Sequence, residues 1–210
     1  MAQSQTKRLY TVKNYLEIDR TSDERYEYLD GEIWLMAGET DTHGIISFNL
    51  AGLLHDQLKG SPCRGRVKDT KVRSGALNKQ SRSTKGMFSY PDIVVICGEP
   101  QYLDERRDVV LNPQVIIEVL SESTESFDCG EKFMRFTNWN QTLTDYILVS
   151  QDKPVVEHFV RGTNGNWVLS RCIGLQAECR VESINCRFKL MDVFDRVEFP
   201  PAAEEFMNGF

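Results

Sequence analysis

The chain has 210 residues, 40% of them hydrophobic and 27% charged. That length suits one large domain, and the composition supports a core that needs no disulfide or metal staple. A formal net charge of −6 excludes a protein that coats nucleic acid non-specifically, which requires a basic surface.

The first ten residues, MAQSQTKRLY, lack the apolar core of a secretion signal. No run reaches the ~18 apolar residues that a membrane span needs. A cytoplasmic protein with no membrane segment is therefore expected. Residues 11–19 predict a short helix capped by Thr11, with Val12, Tyr15 and Leu16 at helical spacing. Residues 25–37 predict a hairpin turning at Asp30-Gly31. Asp41 or Thr42 then caps a helix of about 17 residues, with one apolar stripe from Ile46, Leu50, Leu53, Leu54 and Leu58.

Residues 59–85 carry nine basic side chains (Lys59, Arg64, Arg66, Lys68, Lys71, Arg73, Lys79, Arg82 and Lys85) against one acid, Asp69. Such a stretch reads either as a phosphate-facing surface or as a solvated strand edge kept from aggregating by its charges. A basic strand is expected near 63–73 and a loop over 75–87.

The segments 89–97 (SYPDIVVIC) and 114–121 (QVIIEVLS) are short, β-branched and apolar on both faces, the pattern of central covered strands. A helix is expected from about 126 to 139, then a buried strand at 145–150. A C-terminal meander ending near 186–190 closes the sheet, and the tail is expected to fray. The six cysteines (Cys63, Cys97, Cys129, Cys172, Cys179 and Cys186) form no C-x-x-C and read as reduced thiols. Trp34, Trp139 and Trp167 read as core, and His55 and His158 as structural or exposed. The order of elements gives an α/β fold with a mixed sheet flanked by helices.

Two acids interrupt the two apolar strands. Asp92 shares a face with Val94 and Ile96, and Glu118 with Ile116 and Leu120. An acid there must be compensated by a cation, hydrogen-bond donors or a proton. On neighbouring strands the two carboxylates can converge on a hard cation such as Mg²⁺, which uses one or two carboxylates plus waters. Lys132, in the following helix, can orient or deprotonate a water there. The plainer readings are a backbone-capping role for Asp92, an ion pair for Glu118, and an exposed i, i+4 pair between Asp128 and Lys132.

These residues carry a resemblance. Pro91-Asp92, Ile117-Glu118-Val119-Leu120-Ser121, Thr124, Asp128 and Lys132 resemble the Uma-type restriction endonucleases. That family is a divergent branch of the PD-(D/E)XK nuclease superfamily, common in cyanobacteria. Tyr10-Thr11-Val12, Tyr15-Leu16, Arg25-Tyr26-Glu27-Tyr28, Asp30-Gly31-Glu32, His43 and Asp145-Tyr146 extend the likeness over residues 10–150. The resemblance implies a restriction-endonuclease-like core, with Asp92, Glu118 and the Val119 carbonyl as metal ligands. It implies Glu27 as a supporting acid, and a site role for His43 is open. The superfamily lysine would stand at Leu120, so Lys132 takes over from the adjacent helix.

The expectation is one domain over 1–210, with its core at 10–150 and the meander at 151–199. The expected activity is Mg²⁺-dependent hydrolysis of DNA phosphodiester bonds (Mn²⁺ possible) by a homodimer, with residues 59–85 along the phosphate backbone. The alternatives are an inactive nuclease fold that binds nucleic acid or a protein partner, and a hydrolase of small phosphorylated molecules.

Overall fold

The computed structural model describes residues 9–36, 38–75, 84–122, 124–207 and 209. Helix α1 (Val12–Thr21) starts where Thr11 caps Asn14. Strands β1 (Tyr26–Leu29) and β2 (Glu32–Leu35) pair across Asp30-Gly31, both at positive φ (48° and 106°), which glycine adopts freely and Asp tolerates. Helix α2 (Asp41–Leu58) is followed by β3 (Cys63–Val67), β4 (Lys71–Ser74), β5 (Met87–Ser89), β6 (Ile93–Cys97), β7 (Val109–Val110) and β8 (Val115–Val119). Helix α3 (Glu125–Phe127) runs through a π-helical turn, Asp128–Lys132, into α4 (Phe133–Trp139). Then come β9 (Asp145–Val149), β10 (Val155–Arg161), β11 (Trp167–Ile173), β12 (Glu178–Val181), β13 (Cys186–Lys189) and α5 (Leu190–Val193).

The central sheet is mixed, in the order β11-β10-β9-β8-β6-β3, with β8 and β9 parallel. Strands β6 and β8 alternate between two cores, as residues buried on both faces must. Ile93, Val95, Val115, Ile117 and Val119 pack with Ile46, Leu50, Leu54 and Leu58 of α2. Val94, Ile96 and Ile116 pack on the other face with Phe136 of α4, Tyr146, and Val72 and Met87 of the second sheet. That second sheet runs β2-β1-β5-β4-β7. Its outer side, with Tyr28, Phe88 and Val109, is covered by Tyr15 and Leu16 of α1.

Several expectations are corrected. The cap of α2 is Thr40, not Asp41 or Thr42; its hydroxyl accepts from the His43 N–H at 3.2 Å. The basic strand near 63–73 is two strands in different sheets, broken at Lys68, whose φ is +40°. Strand β13 does not close the central sheet. It pairs only with β12, and its alternating burial turns one face onto the α2 core. The tail is ordered through a 3₁₀ turn, Pro201–Phe206, that buries Ala203, and the Leu175 N–H donates to the Met207 carbonyl. Trp34 and Trp139 are about half exposed rather than core (45% and 51%).

The thiols are not all reduced. Cys63 and Cys97 are directly opposed across β3 and β6 with Cα atoms 3.9 Å apart, and they form a disulfide. Spacing could not reveal this, because the pairing exists only in the sheet register. His158 is buried, with Nε2 2.7 Å from Asp145 Oδ1, and Asp145 Oδ2 accepts from Thr144 at 2.6 Å and from Ser183. The loop predicted at 75–87 lies mostly outside the described residues.

Leu50 is fully buried between α2 and the sheet. Leu50→Ala should lower unfolding free energy by about 3 kcal/mol, through lost transfer free energy and a residual cavity. Denaturant unfolding checks this; a loss below about 1 kcal/mol would mean that the helix is not seated on the core.

Candidate active site

The register of β6 and β8 (Ile93 opposite Ile117, Val94 opposite Ile116), continued by one residue, sets Asp92 opposite Glu118. Asp92 still belongs to the ladder on its other side, since its carbonyl accepts from the Lys68 N–H at 3.0 Å. Directly opposed residues share a sheet face. The two acids therefore stand on one face at one end of the central sheet.

Their partners differ. Asp92 Oδ2 accepts from the Val119 N–H at 2.8 Å, and Oδ1 lies 2.7 Å from His43 Nε2. The capping role is thus real, but a histidine shares it. Each oxygen is contacted once, and a carboxylate oxygen has two acceptor sites. Glu118 is 3% exposed, and its Oε1 lies 2.8 Å from Lys132 Nζ. The ammonium is the charge that compensates this buried carboxyl.

Lys132 is buried, which excludes an exposed i, i+4 pair. Its ammonium contacts three carboxylates: Glu118, Asp128 at 3.0 Å and Glu27 at 3.8 Å. The π-helical turn spans Asp128 to Lys132 and directs both inward. Such turns insert a residue into a helix and recur at functional sites. The Tyr146 hydroxyl donates to the Asp128 carbonyl at 3.0 Å, a side-chain donor where the regular ladder is interrupted. Glu27 is not a solvated hairpin residue. Its Oε1 accepts from the Tyr90 N–H at 3.1 Å, which ties β1 to the segment entering Asp92. The hairpin is anchored in turn by Asp30, which pairs with Arg135 of α4 at 2.8 Å.

Burial is the largest influence on Glu118 and drives its carboxyl well above the usual range; Lys132 opposes this, while Asp128 and Asp92 add to it. Burial also works against the charge on Lys132, yet Glu118, Glu27 and Asp128 outweigh it and hold the proton on the ammonium. Lys132 thus carries its charge among three carboxyl groups, of which burial favours the protonated form of Glu118.

Sequence reasoning missed Gln151. Its Nε2 donates to the Leu120 carbonyl at 2.6 Å and lies 3.4 Å from His43 Nδ1, and its Oε1 accepts from the Thr40 hydroxyl at 2.7 Å. A glutamine just past a strand gives no sequence signal of this kind. Among the described residues no three His, Cys, Asp or Glu side chains are set to hold a metal by themselves. The expected ligand set has only two carboxylates and a carbonyl, within what Mg²⁺ uses when waters complete its shell.

Much of the basic stretch is engaged within the protein. Lys59 pairs with Asp56 at 2.7 Å, Lys68 with Glu39, and buried Lys71 with buried Asp19. The Arg66 guanidinium donates to the Tyr102 hydroxyl at 2.5 Å, and buried Arg73 lies over the Phe88 ring. Lys71 and Arg73 are thereby withdrawn from the surface, while Lys59, Arg64 and Lys85 stay exposed. Lys79 and Arg82 lie outside the described residues.

A family model described as "Uma2: Putative restriction endonuclease" matches residues 12–188. Two relatives from Synechocystis sp. are similar. Uncharacterized protein sll1609 is 32% identical over 173 residues, covering 82% of this chain and 93% of its own. Uncharacterized protein slr1290 is 30% identical over 191 residues, covering 89% and 92%. A crystal structure of a "putative nuclease belonging to DUF820" from Anabaena variabilis shares the fold at a TM-score of 0.71 and 15% identity, covering 90% of this chain and 99% of that one. No helix among the described residues is long and apolar enough to cross a membrane. By the extent of the family match and the identity to these relatives, the chain belongs to the Uma2 restriction-endonuclease-like family.

Proposed function

We propose that this chain is a divalent-cation-dependent nuclease that hydrolyses DNA phosphodiester bonds at the Asp92–Glu118 end of the sheet. The observation that carries the reading is a cluster of three carboxyl groups around one ammonium: Glu118 and Asp128 are buried, Glu27 is partly buried, and all lie within 4 Å of Lys132 Nζ. Buried charge of one sign needs compensation, and a small divalent cation supplies it without a side-chain donor. The donor set fits a hard cation, with Asp92, Glu118 and the Val119 carbonyl as its protein ligands. When bound, Mg²⁺ (or Mn²⁺) supplies Lewis-acid stabilisation of a phosphodiester.

The side chains have distinct tasks. Asp92 is held at both oxygens, so its orientation precedes ligand entry. Lys132 has three donors and approaches Glu118 and Asp128 closely with two of them; a donor turned to a water or to a phosphoryl oxygen would orient the attacker and offset developing charge. Glu27 keeps the lysine and the strand entering Asp92 in register. Cutting both strands of a duplex at one position calls for two such sites, which makes a homodimer the natural working unit.

A second reading, a binding protein that keeps the fold without catalysis, draws on the Lys132–Glu118 contact, which compensates Glu118 without a metal. Two variants separate the readings. Asp92→Ala should keep the circular dichroism of the wild type and lower Mg²⁺-dependent DNA cleavage by at least about 100-fold. A wild type that cuts no form of DNA with Mg²⁺ or Mn²⁺ sinks the enzyme.

Lys132→Met leaves three carboxylates without their cation. Its stability at pH 7 should fall by about 3 kcal/mol, the scale for breaking a buried ion pair. The deficit should shrink at acidic pH, where protonation removes the repulsion, and on adding Mg²⁺. Cleavage should be lost while Mg²⁺ affinity is kept or strengthened. DNA binding that persists in EDTA, with no cleavage in the wild type and no effect of Lys132→Met, would favour the binding protein.

A further inference from the structure

We propose that Gln151 and His43 are positioning residues that preset the Asp92 carboxylate for a cation, through hydrogen bonds whose direction one backbone carbonyl decides. The inference rests on the reading of Asp92 as a metal ligand.

The chain of reasoning begins at Leu120. A carbonyl oxygen only accepts, so the Gln151 atom 2.6 Å from it must be the amide nitrogen. This removes the ambiguity that usually attends a glutamine amide. The assignment agrees with the other end of the amide, where the Thr40 hydroxyl donates to Oε1 at 2.7 Å. Thr40 is itself fixed as the cap of α2. The same Gln151 NH₂ lies 3.4 Å from His43 Nδ1 and has a second hydrogen to offer. Nδ1 is therefore the acceptor, and the ring proton sits on Nε2. Nε2 is the atom 2.7 Å from Asp92 Oδ1, so His43 donates to Asp92.

The consequence is mechanical. Asp92 receives one N–H from α2 through His43 and one from β8 through Val119. Its plane is fixed by two elements from different parts of the chain. Gln151 ties those elements together, because Leu120 lies two residues beyond Glu118 and His43 lies in the first turn of α2. A carboxylate held this way pays less ordering entropy when it takes a ligand. Loss of such outer hydrogen bonds commonly weakens metal binding by about 10- to 100-fold.

Histidine ¹⁵N NMR of the metal-free protein reads the tautomer directly, with the His43 signals assigned by their loss in His43→Gln. The wild type should show the proton on Nε2, and Gln151→Ala should show a mixture. Titration calorimetry with Mn²⁺ gives the second measurement. His43→Ala should weaken Mn²⁺ binding by about tenfold, and His43→Gln, whose amide nitrogen can stand in for Nε2, should recover most of it. Circular dichroism confirms folding of each variant. A proton on Nδ1 in the wild type overturns the relay, and so does unchanged Mn²⁺ affinity in folded His43→Ala. A wild type that binds no Mn²⁺ overturns the metal reading itself, while the tautomer still decides whether Gln151 directs His43.

Discussion

The burial of the Lys132 ammonium is the constraint around which the rest of the site is arranged. A charged amine cannot leave water without close opposite charge. Three elements supply that charge: β8 brings Glu118, the π-helical turn brings Asp128, and β1 brings Glu27. Each needs its own support. Tyr146 donates to the carbonyl of the turn, Tyr90 fixes Glu27, and the Asp30–Arg135 pair holds the hairpin against α4. Three acids face one base, and the proposed cation would be held beside this cluster by Asp92 and Glu118.

The sequence made the strands legible because their chemistry is extreme. Few segments are as apolar on both faces as 93–97 and 115–119, so an acid at their ends stood out. The two-residue period then put Asp92 and Glu118 on defined faces, and the register brought them opposite. The Asp30-Gly31 turn and the α2 stripe were readable for the same reason: backbone geometry demands particular residues there. What stayed hidden depended on distant partners. Lys71 and Arg73 look like solvent-facing charges in a basic run, yet Asp19 and the Phe88 ring bury them. Cys63 and Cys97 become partners only through strand pairing. Gln151 acts through atoms of α2 and β8, neither near it in sequence.

The roles of His43 and Gln151 also explain why the two acids, though opposed on adjacent strands, have different surroundings. Asp92 stands at the first position of its ladder, where the side chain can reach past the sheet end to α2 and to the Val119 N–H. Glu118 stands one residue inside the end of β8, under the helical layer, and lies 2.8 Å from the Lys132 ammonium. One acid is oriented by a histidine and a backbone N–H, and the other lies against an ammonium. An oriented acid offers a fixed lone pair, while a charge-paired acid can exchange its partner, which is the division of labour the proposed cation site would use.

The position of Lys132 follows from the same geometry. Leu120, two residues after Glu118, lies on the same face of β8 by strand alternation, and it packs against the core shared by Phe136 and Tyr146. A lysine there would have to lift its ammonium out of an apolar cluster. Lys132 enters that face from the helical layer above, where the π-helical turn brings it alongside Asp128 and over Glu118. Either backbone position can deliver an amine to one carboxylate. In this chain the helix does so, which frees the strand position for packing and makes the fit of the helical layer the condition on which the site depends.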